Sequence, residues 1–335
     1  MQPPGFWQNP PEKPGLAARL LSPLAALWRL AGERRLARGE WLRLSVPVVC
    51  VGNINIGGTG KTPTVIALAE RLKSWGWAPH VVSRGYGGSL HGPIKVVERR
   101  HKASEVGDEP LLLAAFCDTW VARDRAAGAR TAIAAGADII LLDDGLQNPS
   151  LAKDLSLVVV DAVQGFGNGR IIPSGPLRER LEGGLARADA VLVIGATEAR
   201  DRLVKRWPMV AKLSVVGAEL RPLVTGVDWH GTRVLAFAGI GRPEKFFLTL
   251  KELGAEIVQA EALSDHQPLD RRLMQRLEAD AFFKGAQMVT TEKDAVRLPD
   301  EFRLRVVTLP VRLAPADWQA FDQVLADAGI LPKHD

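Results

Sequence analysis

A chain of 335 residues exceeds one ordinary domain of ~100–200 residues and predicts two domains or one large α/β unit. With 47% apolar and 24% charged residues and only two cysteines, Cys50 and Cys117, both without metal-ligand spacing, it excludes extended disorder, a disulfide scaffold and a cysteine zinc site. The net charge of +5 sits almost wholly in residues 1–45, which carry +4, so the folded body lacks the basic, aromatic-laced surface of a nucleic-acid reader and no nucleic-acid partner is expected.

The first segment, residues 1–45, is basic and amphipathic. Its longest mainly apolar uncharged run, 20–28, is nine residues against ~20 needed to cross a bilayer, and it lacks a small-residue cleavage site, so neither a span nor a signal peptide is expected. Leu16, Leu20, Leu24, Leu27 and Trp28 recur at helical spacing among Arg19, Arg29, Arg34, Arg35 and Arg38. Ser22 before Pro23 reads as an N-cap followed by proline at the first helical position, which predicts two short helices. The leucines can face either the protein's own body or an anionic membrane surface.

From residue 46 the pattern alternates. Apolar β-type runs at 46–51, 80–83, 139–142, 155–160 and 190–194 are separated by helix-compatible stretches at 64–75, 110–117 and 123–135. This alternation predicts an α/β/α sandwich on a mostly parallel sheet over 46–214. Residues 215–230, with their Gly, Pro and Thr, read as a linker crossing between domains. A smaller α/β domain is expected over 231–335, with strands at 234–237, 256–258 and 288–290 and helices at 244–253 and 270–283.

The stretch from Val48 to Thr62 is an apolar strand, a glycine-rich turn and Lys-Thr before a helix, the context of a phosphate-binding loop. In such loops backbone N–H groups and the helix N-terminus point at phosphate oxygens, the lysine reaches the β and γ phosphates, and the hydroxyl ligates Mg2+. Asn55, Ile56, Gly57, Gly58, Thr59, Gly60, Lys61 and Thr62 are the candidate nucleotide contacts. The pattern GxxxxGK[ST] has glycine where Asn55 stands, and asparagine is expected to tolerate the left-handed backbone there. An apolar run ending in Asp143 and Asp144 supplies carboxylates at the carboxyl edge of the sheet, and with Thr62 they form the candidate magnesium site. Ile56 stands where metal-chaperone ATPases carry a second lysine, and Thr291-Glu-Lys-Asp294 lacks the lysine order of a guanine reader, so ATP is the expected nucleotide.

Together the motifs resemble the tetraacyldisaccharide 4′-kinase family of lipid A biosynthesis. The resemblance rests on Val51-Gly-Asn53, Gly57 to Thr62, Ser83-Arg-Gly-Tyr-Gly-Gly88, Val106-Gly-Asp-Glu-Pro110, Asp143-Asp-Gly-Leu-Gln147, Pro173-Ser-Gly-Pro-Leu-Arg-Glu179, Asp265-His266 and Thr290 to Asp294. It implies a P-loop NTPase-type α/β/α sandwich with a second, smaller α/β domain, joined by a short β linker. The implied reaction is ATP- and Mg2+-dependent phosphorylation of the 4′-hydroxyl of a lipid A disaccharide 1-phosphate, by a peripheral enzyme at the cytoplasmic face of the bacterial inner membrane. It also implies that Asp108 acts on the sugar hydroxyl with His266 in support, while Lys61 stabilises the transferred charge. Arg123, Gln147 and Arg178 are the candidate substrate contacts. Asn148 and Gln267 stand where the family commonly has histidines. The loop alone also fits a P-loop ATPase that drives a conformational change or metal delivery, or a nucleotide-gated membrane-binding module, and neither needs Asp108.

Overall fold

The computed structural model describes residues 4–333; residues 1–3 and 334–335, in the first and last expected segments, lie outside it. Two helices open the chain, α1 (Leu16–Leu20) and α2 (Ser22–Ala37). The break between them falls at Leu21, and Ser22 does not cap: its Oγ donates back to the Ala18 carbonyl at 3.0 Å, with Pro23 inside the first turn. The preceding turn offers Ser22 an acceptor, so the two helices meet without the expected cap.

The body then alternates. In order come β1 (Val48–Gly52), α3 (Lys61–Ser74), β2 (Pro79–Ser83), β3 (Ile94–Lys95), α4 (Ala103–Val106), α5 (Asp108–Ala114), β4 (Thr119–Val121) and α6 (Arg125–Ala134). They are followed by β5 (Ile139–Asp143), β6 (Leu155–Asp161), α7 (Leu181–Leu185), β7 (Ala190–Ile194), α8 (Thr197–Arg206) and β8 (Ser214–Pro222). The remaining elements are β9 (Arg233–Ala238), α9 (Pro243–Glu252), β10 (Glu256–Ala262), α10 (Arg271–Phe283), β11 (Gln287–Thr291), α11 (Glu292–Ala295), β12 (Val306–Leu309), β13 (Val311–Pro315) and α12 (Trp318–Asp327).

Nine strands form one sheet in the order β13-β8-β7-β6-β1-β5-β2-β4-β3, parallel from β8 to β4 with antiparallel strands at both edges. Because side chains alternate along a strand, its central members serve two cores. Cys50, Val82, Ile140, Leu142, Val158 and Val191 pack on one face beneath α6, α7 and α8. Val49, Val51, Val81, Leu141, Leu157 and Leu192 pack on the other beneath α3 and α12. This is the α/β/α sandwich that the near-continuous apolar runs foretell. A second, four-stranded parallel sheet, β10-β9-β11-β12, buries Leu235 and Phe237 against α10, and Val234 and Ala236 against α9.

The linker and the last segment fold otherwise than the sequence suggests. Residues 214–222 form β8, which pairs with β7 and extends the large sheet. The chain returns from the small sheet through β13, antiparallel to β8, and α12 buries Phe321, Val324 and Leu325 in the large-sheet core. Residues 311–327 therefore belong to the large-sheet body, held there by Arg71, whose Nε lies 2.8 Å from Asp322 Oδ1.

Candidate active site

β1 lies at the centre of the large sheet, and the turn after it is built by its own side chains. Asn53, fully buried, donates through Nδ2 to the Gly57 carbonyl at 3.3 Å and to Thr59 Oγ1 at 3.2 Å. Gly57 and Gly60 have φ of +104° and +97°, and a Cβ at Gly60 would come within 2.5 Å of Ile194 Cδ1. Both glycines are therefore required by the turn. α3 begins at Lys61, so its free N–H groups end at the loop. Asn55 departs from expectation: its backbone is not left-handed, and its Nδ2 donates to the Gly165 carbonyl at 2.8 Å, so a side-chain tether does the work expected of a tolerant backbone. Residues 173–179 run along the loop, with Ile56 N donating to Pro176 O and Arg178 N to Ile54 O, each at 2.8 Å.

The two carboxylates after β5 sit in opposite electrostatic settings. Asp143 is fully buried; burial and the nearby Glu109 and Asp144 push its carboxyl up to about 7, against the pull of Lys61 and a Ser83 Oγ hydrogen bond at 3.0 Å. Its Oδ1 is buried without any hydrogen-bond partner. A buried, unpartnered carboxylate oxygen beside the glycine-rich loop suits a hard divalent cation, so the residues fit Mg2+. Asp144, the second expected ligand, is instead engaged by cations. Arg178 Nη1 lies 2.8 and 2.9 Å from its two oxygens, and Lys61 Nζ is 3.7 Å from Oδ1. Burial alone would raise its carboxyl, but Lys61 and Arg178 outweigh burial and hold it below the usual range. Among the described residues no group of three or more His, Cys, Asp or Glu is arranged to hold a metal.

Asp108 opens α5 on the large-sheet side, while His266 follows β10 on the small-sheet side, 158 residues away; the fold places His266 Nδ1 2.9 Å from Asp108 Oδ2. Burial would raise the Asp108 carboxyl, but the His266 hydrogen bond and the charges of Arg297 and Lys293 hold it below its ordinary value. His266 has a left-handed backbone, φ +57°, which for a non-glycine residue stores strain of order 1 kcal/mol. Its N–H donates to the Gly239 carbonyl at 3.2 Å. Asp294 of the Thr-Glu-Lys-Asp element is fully buried and accepts from Gly239 N at 3.1 Å, so this element shapes the turn beside His266 rather than reading a base.

Lys61, Asp143, Asp144, Glu109 and His266 line one cleft of about 1790 Å3, together with Arg123, Gln147 and Arg178. Arg123 is exposed on its wall and has no ion-pair partner among the described residues. Gln147 is tied in place: Nε2 donates to Asn53 O at 2.9 Å and Glu179 Oε1 at 2.8 Å, and Oε1 faces Arg178 Nη1 at 3.3 Å.

A family model for tetraacyldisaccharide-1-phosphate 4′-kinase, LpxK, matches residues 17–329. The chain belongs to this family. Proteins named tetraacyldisaccharide 4′-kinase from Dinoroseobacter shibae and from Jannaschia sp. strain CCS1 are similar to it. The first is 61% identical over 97% of both chains. The second is 56% identical over 97% of this chain and 98% of the relative. A crystal structure of LpxK from Aquifex aeolicus in complex with ATP has the same fold, with a TM-score of 0.75, 24% identity and coverage of 93% of this chain and 99% of that one.

Several further residues stand at this candidate site without having been singled out from the sequence. Arg125, 4% exposed, donates to the Asp143 carbonyl at 3.1 Å. Asp161, at the end of β6, faces Arg242 Nη1 at 3.1 Å and Lys245 Nζ at 2.5 Å from α9 and the turn before it. Lys293 Nζ lies 3.2 Å from His266 Nε2. Of these only Asp161 could have been found, since it ends an apolar strand as Asp143 does.

Proposed function

We propose that the protein transfers the γ-phosphoryl group of ATP to the 4′-hydroxyl of a tetraacyldisaccharide 1-phosphate, using the cleft between its two sheets. The Asp108–His266 contact at 2.9 Å carries this reading, because it sets a buried carboxylate beside an imidazole that lines the same cleft as the glycine-rich loop. An ATPase without an acceptor has no use for such a pair.

The residues divide the work. The loop N–H groups from Gly57 to Lys61 and the start of α3 hold the phosphates in line. Lys61, 8% exposed, meets the charge on the transferred group in a setting where it is little screened. Asp144 holds Lys61 and Arg178 on one side of the loop. Thr62 and Asp143, with Asp144 at the margin, would hold Mg2+, which neutralises charge on the β and γ oxygens when bound. Asp108 accepts the proton of the hydroxyl as the new oxygen–phosphorus bond forms. Arg123, free on the cleft wall, is placed to meet the acceptor's phosphate, while Gln147 and Arg178 keep the floor of the site rigid.

The N-terminal helices support a peripheral association with the cytoplasmic face of the inner membrane. Leu16, Leu20, Leu24, Leu27 and Trp28 are all more than half exposed, and Arg34, Arg35 and Arg38 are exposed beside them. Among the described residues no helix is long and apolar enough to cross a membrane. Radiolabel transfer from γ-labelled ATP to a glucosamine disaccharide 1-phosphate lipid tests the proposal. Label on the lipid that requires both Mg2+ and the acceptor is expected; ATP turnover indifferent to the lipid would overturn it.

A further inference from the structure

His266 is contacted on both ring nitrogens. Nδ1 faces Asp108 Oδ2 at 2.9 Å, and Nε2 faces Lys293 Nζ at 3.2 Å, with Asp265 Oδ1 3.8 Å from the same nitrogen. Lys293 comes from α11, and it is also 3.4 Å from Glu109 Oε1 and 3.9 Å from Asp265 Oδ1. Arg297 Nε lies 3.4 Å from Asp108 Oδ2, and the Tyr86 ring meets the imidazole edge-on at a centroid distance of 5.9 Å. These groups surround the ring from α5, from the turn after β10, from α11 and the residues after it, and from the loop after β2.

An ammonium has three donors and no acceptor. The nitrogen facing it must therefore offer a lone pair, which places the ring's only proton on Nδ1, pointing at Asp108. Two carboxylates, Asp108 and Asp265, favour a second proton on the ring, and the lysine charge opposes it. Glu109 and Asp265 face the same ammonium.

We propose that Lys293 is a positioning residue for phosphoryl transfer, whose ammonium holds His266 as a neutral donor from Nδ1 to Asp108. This rests on the reading of Asp108 as the group that takes the hydroxyl proton. Nδ1 is already protonated and cannot accept that proton, so it passes to Asp108 as the bond from the sugar oxygen to the γ-phosphorus forms. The bond from that phosphorus to the bridging oxygen breaks at the same time, and ADP leaves with its electron pair. An imidazolium in the same place would pair Asp108 with a full positive charge and weaken it as a base.

The test compares wild type, Lys293→Met, Lys293→Gln, Lys293→Arg and Asp108→Asn in the full chain, with ATP, Mg2+ and a short-chain disaccharide 1-phosphate acceptor. The acid limb of kcat is expected to move to higher pH by about one unit in Lys293→Met and Lys293→Gln, while KM for ATP stays within about twofold. Lys293→Arg is expected to restore the limb. Ring nitrogens of 15N-labelled His266 are expected to show one proton at neutral pH in wild type and two in the Met and Gln variants. Lys293→Gln keeps a donor in place of the ammonium, so a folding defect in Lys293→Met leaves the test intact. An unmoved limb and unchanged ring signals, beside an inactive Asp108→Asn, would overturn the role of Lys293 alone. Wild-type kcat in Asp108→Asn would overturn the base assignment and this inference with it.

Discussion

In the proposed transfer Lys61 and Asp108 act on opposite partners, one on the phosphoryl group and one on the acceptor. Replacing Lys61 with alanine leaves the loop backbone and its glycines in place but removes the charge opposing the β and γ phosphates. We expect kcat to fall by roughly 10²–10³ in a protein that still folds, as removal of one preorganised electrostatic contact does elsewhere; near-normal turnover in folded Lys61→Ala would exclude the loop as the phosphate site. Asp108→Ala is expected to lower kcat far more than it changes ATP affinity. His266→Ala should lose less, and the double variant should be less than additive because the two side chains share one hydrogen bond. Fully additive losses in that cycle would break the pair apart. The glycine-rich loop was legible as a candidate phosphate site because its residues are contiguous, from Asn53 to Thr62. Asp108 and His266, 158 residues apart, were legible only through the family resemblance, since a lone aspartate before Glu-Pro and a lone histidine have no spacing to read. Lys293 was legible only as part of the Thr290 to Asp294 element and without a role, and Arg297 and Arg125 not at all, because a charged residue becomes informative only once the fold has set it among partners.

Among the elements, α1 and α2 expose their large apolar side chains instead of packing them, and on α2 these are spread around the helix rather than gathered on the one face expected of an amphipathic segment. Only Ala18 and Ala25 are buried there, whereas Leu16 and Leu20 are 73% and 71% exposed. Of the two readings left open by the sequence, the one in which the leucines pack on the protein's own body does not hold. Trp28 nonetheless ties α2 to the site, its Nε1 donating to the Arg178 carbonyl at 3.2 Å. Each basic residue near an anionic surface contributes ~1 kcal/mol, weakened by salt. Arg34→Glu with Arg38→Glu is therefore expected to release the protein from anionic vesicles at low salt and to raise KM for vesicle-borne lipid, with kcat on a short-chain acceptor unchanged. Arg35 is left in place because it lies against the Gln147 carbonyl. Equal co-sedimentation of variant and wild type at every salt concentration would remove these arginines from membrane binding. The central strands were legible because burial on both faces demands continuous apolar runs. β8 and β13 were not: as the last pair of the sheet they mix buried and exposed positions, with prolines at their ends, and such a pattern reads as linker until the partner strand is known.

For the whole molecule, the contacts that join the two sheets are also those around the site. Asp161 of the large sheet meets Arg242 and Lys245, Asp108 meets His266 and Arg297, and Glu109 meets Lys293. Position of the small sheet and geometry of the catalytic groups are thus set together. Asp161 takes no part in the proposed transfer and so reports the joint itself. It also accepts the N–H groups of Val163 and Gln164 at 3.0 Å, bonds that asparagine can keep, so Asp161→Asn removes chiefly the charge. Burial would raise this carboxyl, but Lys245, the Gln164 N–H and Arg242 hold it below its ordinary value. A carboxyl depressed in the folded state stabilises the fold above its unfolded value of ~3.9 and loses that contribution as pH falls through the folded one. Breaking a buried pair costs ~3–5 kcal/mol, discounted here to about 1–3 because Arg242 and Lys245 are partly exposed. Urea unfolding should therefore show Asp161→Asn less stable than wild type by that amount near neutral pH, by a nearly constant margin down to about pH 5, with the margin shrinking below about pH 4 as the wild-type carboxylate is itself protonated. A variant as stable as wild type near neutral pH, or a deficit that persists undiminished in acid, would show that the charge on Asp161 does not hold the two sheets together.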